Sequence, residues 1–296
     1  KTDSLRLKYL SKIQWSFLGL GDSLWFRRTN WETLNLAEKL EDSARLAGRS
    51  WDLAEFLDRY EIKDSAYYHY SNAKKIYEAL GNHLNAGKLE YDMALIQAEV
   101  KNYTSSEINT VRAIELLKPL KENMMLYKCY NLLGIISKDL EEYEKSLEYY
   151  DIANSYLEKS NAKSQWAPQM ENNIGVTYKN MGNQEKAVAY FQKVLAHDSI
   201  LNKNPSLYAK ALNNLATSKH KIDPGFNAEN LFKSSLKIRD SISDIAGLAG
   251  GNYNLAAYYL EKKDSANALE NAKKAKSYAE ASNNNERLLR SLALLT

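Results

Sequence analysis

The sequence is poor in the residues that punctuate or cross-link a chain: one cysteine, four prolines and twelve glycines in 296 residues. A single cysteine, Cys129, excludes an internal disulfide and a thiolate zinc cage. It sits among Tyr127, Tyr130, Leu132 and Leu133, where a buried, inert thiol is expected. So few glycines and prolines exclude the short-strand, turn-rich layout of a sandwich or barrel. No apolar run approaches the ~18 residues that a spanning helix requires. No block of five or six like charges occurs and the formal charge is only +3, so no non-specific nucleic-acid or membrane surface is indicated. The four histidines, His69, His83, His197 and His220, never fall at i, i+3 or i, i+4, the spacing that pairs metal ligands on a helix. No metal or cofactor is expected, and no catalytic acid, base or nucleophile constellation is found. The chain also lacks an initiating Met and a signal-peptide pattern, as a mature or excised segment would.

What the sequence does have is a repeat. Hydrophobic residues make up 44% and charged residues 26%, with 21 tyrosines, a composition suited to long helices packed through aromatic rings. An aliphatic–small pair recurs as Leu53-Ala54, Met93-Ala94, Leu133-Gly134, Ile174-Gly175, Leu215-Ala216 and Leu255-Ala256, its small members 40, 40, 41, 41 and 40 residues apart. One period earlier stands Ile13-Gln14, with a degenerate second member. Twelve residues after each small position comes another: Ala66, Ser106, Ser146, Ala187, Ala228 and Ala268, with Phe26 the exception. Four further on a ring is common, at Tyr70, Tyr150, Phe191 and Phe232.

A small residue in mid-helix lets a neighbouring helix approach closely, and a ring supplied by that neighbour fills what remains. Each unit is therefore read as a helix A, a tight turn and a helix B. Gly21-Asp22-Ser23, Lys63-Asp64-Ser65, Gly182-Asn183, Asp223-Pro224-Gly225 and Lys263-Asp264-Ser265 supply turns and helix caps. Pro119, Pro168, Pro205 and Pro224 are placed at helix boundaries, where a missing amide costs little.

Leu133-Gly134 through Tyr150 and Ala153, and Asn172-Asn173-Ile174-Gly175 through Tyr178, Gly182, Ala187 and Phe191, resemble tetratricopeptide repeats. A 40-residue period also suits HEAT-type repeats, but the small–small–ring pattern favours the tetratricopeptide reading. The expected fold is all-α: a right-handed α-solenoid of about seven helical hairpins plus a partial eighth. As a single solenoid its repeats would run 7–46, 47–86, 87–126, 127–167, 168–208, 209–248 and 249–285, with a half repeat at 286–296.

In such an array the A helices line the concave surface. Counting from the small residue, positions −6, −3, +1 and +4 share one helix face. The −6 ladder is Lys88, Lys128, Gln169 and Lys210; the −3 ladder is Trp51, Tyr91, Asn131, Asn172, Asn213 and Tyr253. At +4 stand Lys138, Lys179 and His220, flanked by Asp58 and Leu260, and at −2 stand Asn173, Asn214 and Asn254. An amide offers a donor and an acceptor to a peptide group whatever side chain the ligand carries. Lysines beside it attract carboxylates. The resemblance implies the same role for Asn and Lys on A helices. The alternative is that the amides tie neighbouring A helices together and the lysines are solvated. The run Gly247-Leu248-Ala249-Gly250-Gly251 has no following Lys-Ser/Thr and is read as a flexible turn between repeats.

The function expected from these residues is recognition of a peptide or protein segment, not catalysis. The Tyr/Asn/Lys texture and turns such as Asp64-Ser65-Ala66 also resemble the sensor portions of bacterial signalling proteins. That resemblance implies an extracytoplasmic input segment, with a membrane helix and output domain following Thr296. The alternative is a cytoplasmic assembly scaffold or co-chaperone-type adaptor.

Overall fold

The computed structural model describes residues 2–19, 23–282 and 285–294. Gly21 and Asp22 of the sequence-predicted turn Gly21-Asp22-Ser23, and the small position at Thr296, lie outside them. Among the described residues the chain forms sixteen helices and no strand. The first hairpins are α1 (Thr2–Gly19) with α2 (Ser23–Lys39), α3 (Ser43–Arg59) with α4 (Lys63–Ala79), and α5 (His83–Glu99) with α6 (Tyr103–Leu117). α7 (Asn123–Asp139) and α8 (Tyr143–Glu158) follow, then α9 (Lys163–Asn180) with α10 (Gln184–Ala196). A four-residue α11 (Ile200–Lys203) interrupts the rhythm before α12 (Pro205–Ile222) with α13 (Glu229–Ser241) and α14 (Ile245–Glu261) with α15 (Ser265–Ala281). α16 (Asn285–Ala293) is the partial eighth A helix. None of these helices is long and apolar enough to cross a membrane.

The chain divides into two compact units. One comprises Lys1–Leu140 with Asp151–Ser160, the other Glu141–Tyr150 with Asn161–Thr296, so the division falls inside α8. Hairpins start about four residues ahead of boundaries such as 47 and 87, because the small-residue ladder marks where helices touch and not where they are capped.

Six of the helix junctions are made by one device. A residue in the left-handed region is followed by an Asp or Asn that caps the next helix. Glu41 (φ 52°), Gly81 (66°), Lys101 (60°), Gly182 (85°), Ser243 (54°) and Lys263 (59°) take the left-handed position. After them, Asp42, Asn82, Asn102, Asn183, Asp244 and Asp264 each accept from the backbone N–H three residues on, at 2.8–3.3 Å. An orphan amide is satisfied at every such start. Lys63-Asp64-Ser65 works differently from its sequence reading: α4 begins at Lys63, its cap is Ile62, and no side chain caps it. Pro205 is the first residue of α12 and Pro224 lies in the turn after it, but Pro168 lies inside α9. That helix begins a turn earlier than its small-residue register suggests, so the boundary drawn at Pro168 is corrected to Lys163.

The close approaches inferred from the repeat are present. Ala54, Ala94, Ala216, Ala256, Ala66, Ser106, Ser146, Ala187 and Ala228 are fully buried. A Cβ on Gly175 would stand 2.7 Å from the Phe191 ring, the ring sixteen residues on. Ser106 Oγ donates to the Ala94 carbonyl at 2.7 Å, joining the two small positions of one hairpin. In the first repeat Phe26 stacks on Phe56 at 4.7 Å instead. Cys129 is fully buried and burial pushes its thiol up to about 12, leaving it inert at neutral pH.

Candidate functional site

The A-helix faces of the two units are lined by different chemistry. In the second unit, Gln169 Nε2 donates to Asn173 Oδ1 at 3.0 Å along α9. Lys179 Nζ donates to Asn214 Oδ1 at 3.0 Å, joining α9 to α12. Lys210 is exposed, and Asn254 on α14 is half-buried. Beside Gln169 opens a cavity of about 750 Å³, lined by Trp166, Gln169, His197, Ile200, Lys203 and Asn204 among others. The chain segment between α10 and α12 builds one wall of it. Ser199, at φ 64°, turns the backbone into α11, and His197 Nε2 lies 2.6 Å from Glu171 Oε2.

Five of the sequence-predicted ligand residues are buried. Asn172 is fully buried, and neither atom of its amide has a hydrogen-bond partner. It stands three residues before Gly175 on the helix side that receives the Phe191 ring, so it faces the packed seam. Asn213, at the same register before Ala216, is only 8% exposed. His220 is buried between α12 and α14, its Nε2 2.9 Å from Glu261 Oε2 and its ring edge-on to Tyr258. Asn173 and Asn214, one residue further along, keep 9% and 6% exposure and are engaged by Gln169 and Lys179 as above.

In the first unit, Lys128 and Asn131 on α7 are half-buried, and Lys138 pairs with Asp139 at 2.8 Å. Trp51 Nε1 donates to Asp92 Oδ2 at 3.1 Å, and its ring packs edge-on against Tyr77. Burial, reinforced by the nearby charge of Glu55, pushes the Asp92 carboxyl up to about 7. Glu55 is itself pushed up by burial and then by Asp52. Lys63 bridges Asp58 and Glu99; burial opposes its charge, but the two carboxylates outweigh burial and hold the ammonium protonated. The sequence reading passed over these acids. Asp52 and Asp92 occupy the same −2 position as Asn173, Asn214 and Asn254, so the full ladder carried the signal. Among the described residues, no group of three or more His, Cys, Asp or Glu side chains could hold a metal ion.

Antiparallel helical hairpins of about 40 residues, closed by small–small contacts and a ring, define a tetratricopeptide-type helical-repeat protein. The family model for the tetratricopeptide repeat matches residues 172–198, the second half of α9 with α10. No curated protein sequence matches the chain significantly. Solved structures do match in fold. Apo RapI aligns with TM-score 0.78 at 13% identity, over 94% of this chain and 99% of that one. A Rap protein complexed with Competence and Sporulation Factor aligns at 0.65 and 13%, over 99% and 95%. The apo quorum sensor NprR from B. thuringiensis aligns at 0.65 and 12%, over 99% and 87%. At these identities the likeness establishes the fold.

The extracytoplasmic sensor segment inferred from texture is corrected. Solved chains with this fold include Rap proteins and the quorum sensor NprR, and none of the described helices is long and apolar enough to cross a membrane. Asp64-Ser65-Ala66, which prompted the inference, form the first turn of α4, where Ala66 is a buried packing position.

Proposed function

We propose that the chain is a peptide-binding module of a signalling system, holding an extended polypeptide on the A-helix face of its second unit. The observation that carries this reading is the row of side-chain amides and ammonium groups on α9 and α12, running into the cavity beside Gln169. An extended peptide presents alternating N–H and C=O groups, and the half-buried Gln169 carries both a donor and an acceptor, while the buried Asn173 and Asn214 hold Gln169 and Lys179 in place. Lys179 and Lys210 add attraction for carboxylates, and Trp166 with Ile200 gives the cavity an apolar wall for one ligand side chain. The Rap structure complexed with Competence and Sporulation Factor, and the quorum sensor NprR, support a peptide as ligand and signalling as context.

Panning a phage-displayed library of random decapeptides on the purified chain tests this. Enriched peptides, measured by fluorescence anisotropy, are expected to bind Asn214→Ala and Lys179→Ala about tenfold more weakly, or about 1.4 kcal/mol, with an unchanged melting curve. No enrichment, or enriched peptides indifferent to both substitutions, overturns it.

A further inference from the structure

The glycine run at 247–251 is not a turn. It lies inside α14, where Gly247 makes room for the Arg239 side chain and Gly251 for Leu236. A Cβ on Gly247 would overlap Arg239 Nη1, at 1.7 Å. A Cβ on Gly250 would stand 3.7 Å from the guanidinium carbon of Arg287. Arg239 is nine-tenths buried and pairs with Asp244 at 2.7 Å. Beyond it, Arg287 and Arg290 of α16 line a cavity of about 190 Å³ with Ala249, Gly250, Tyr253 and Asn254. None of these lining residues is acidic. Burial and then the charge of Arg287, set against the pull of Asp244, leave Arg239 below its ordinary range, as expected where guanidinium groups gather.

We propose that this cavity is an oxyanion site, taking a carboxylate such as a peptide C-terminus or acidic side chain, or a phosphate group of the same chemistry. Guanidinium groups present paired N–H donors in a plane that matches two oxygens of a carboxylate or phosphate. Tyr253 and Asn254 add a hydroxyl and an amide that can donate to further oxygens. The bare backbone at Gly250 lets the anion approach α14 closely, and the volume takes one such group with water beside it. The site lies two hairpins along from Asn173 and does not depend on the proposed peptide groove, since small oxyanions alone test it.

The test is a titration of the ¹⁵N-labelled chain with inorganic phosphate, with N-acetyl-alanyl-alanine, and with the C-terminal amide of that dipeptide. Phosphate and the free carboxylate are expected to shift the Gly250 and Asn254 amide resonances saturably, and the amide-capped dipeptide is not. Whichever of the two anions saturates at lower concentration identifies the source preferred. Arg287→Gln with Arg290→Gln should weaken that binding at least tenfold, and Gly250→Val, which keeps both arginines but fills the cavity, should do the same. Asn214→Ala should leave it intact, which separates this site from the groove. No saturable shift in the wild-type chain with either anion overturns the proposal, as does equal response to the amide-capped dipeptide; neither result needs a variant to fold.

Discussion

The two units share a scaffold and differ in what they put on it. On α3 and α5 of the first, position −2 holds Asp52 and Asp92, with Glu55, Asp58 and Glu99 close by and Arg49, Arg59, Lys63 and Lys128 to answer them. On the A helices of the second, the same position holds Asn173, Asn214 and Asn254, and the charged neighbours are Lys179, Lys210, Arg287 and Arg290. Both units close their hairpins on the same small-residue contacts. The packing code therefore leaves the outward side of each A helix unconstrained, and that side is where one repeat protein can differ chemically from the next.

The largest effect that would sharpen this contrast is a pH dependence rooted in the first unit. The Asp92 carboxyl sits at about 7 when folded, against 3.8 ordinarily. Between these values the folded chain keeps a proton that the unfolded chain has lost, so stability falls as pH rises from about 4 to about 7 and is level above. At about 1.4 kcal/mol per unit the ceiling is about 4 kcal/mol. Asp92→Asn keeps an acceptor for the Trp51 N–H and removes the titration. Urea melts at pH 5 and pH 8 should show the variant gaining on the wild type at pH 8 by about 2–4 kcal/mol and matching it near pH 4. Equal gaps at both pH values would mean that Asp92 is ionised throughout and that the acidic lining is fully solvated.

Next in size is a packing test that compares the units directly. Gly175 in the second unit and Gly87 in the first each leave about 2.7 Å between a would-be Cβ and a neighbour. For Gly87 the neighbours are Cγ and Cδ2 of Leu117, with Leu116 Cβ at 3.2 Å, and for Gly175 it is the Phe191 ring, wedged with Ala187 and Leu215 in the hydrophobic layer. A leucine side chain can change rotamer, whereas a ring in a filled layer must push its surroundings. Overfilling costs about 1–3 kcal/mol, offset by about 1 kcal/mol of helix propensity on replacing glycine. Gly87→Ala should come out near neutral and Gly175→Ala destabilised by about 1–2 kcal/mol in chemical melts. The reverse order would show that the ring is not what closes the second unit's hairpin.

Most of the scaffold was legible because packing repeats. Ala54 to Ala256 recur every 40 or 41 residues since each must admit a helix, and such a requirement leaves a periodic mark. The linings were less legible. A ladder says which residues share a face but not whether that face is open, and one residue of register separates Asn172 in the seam from Asn173 beside Gln169. The acids went unread because the −2 ladder was followed only where it held asparagine. The glycine run was misread for another reason: glycines read one at a time suggest a turn, and only the packing of α13 on α14 shows Gly247 and Gly251 as space for Arg239 and Leu236.

The smallest expected effect concerns two buried amides, one in each unit. Gln14 stands where the first repeat departs from the small-residue pattern, and both ends of its amide are engaged: Nε2 donates to Asp52 Oδ2 at 3.3 Å and Oε1 accepts from Arg49 Nη1 at 3.2 Å. Asn172 is as fully buried, and neither end of its amide is hydrogen-bonded. A buried polar group without a partner costs about 1–3 kcal/mol, so Asn172→Leu exchanges a desolvated amide for apolar contact at the expense of some crowding. The variant should be more stable by about 1 kcal/mol, seen as a melting temperature about 2–4 °C higher, while Gln14→Leu should move the other way by removing one hydrogen bond each from Arg49 and Asp52, which stay paired to each other at 2.6 Å. If Asn172→Leu instead lowers the melting temperature, the amide at that register is a structural link between helices, as the alternative reading of the asparagine ladder holds.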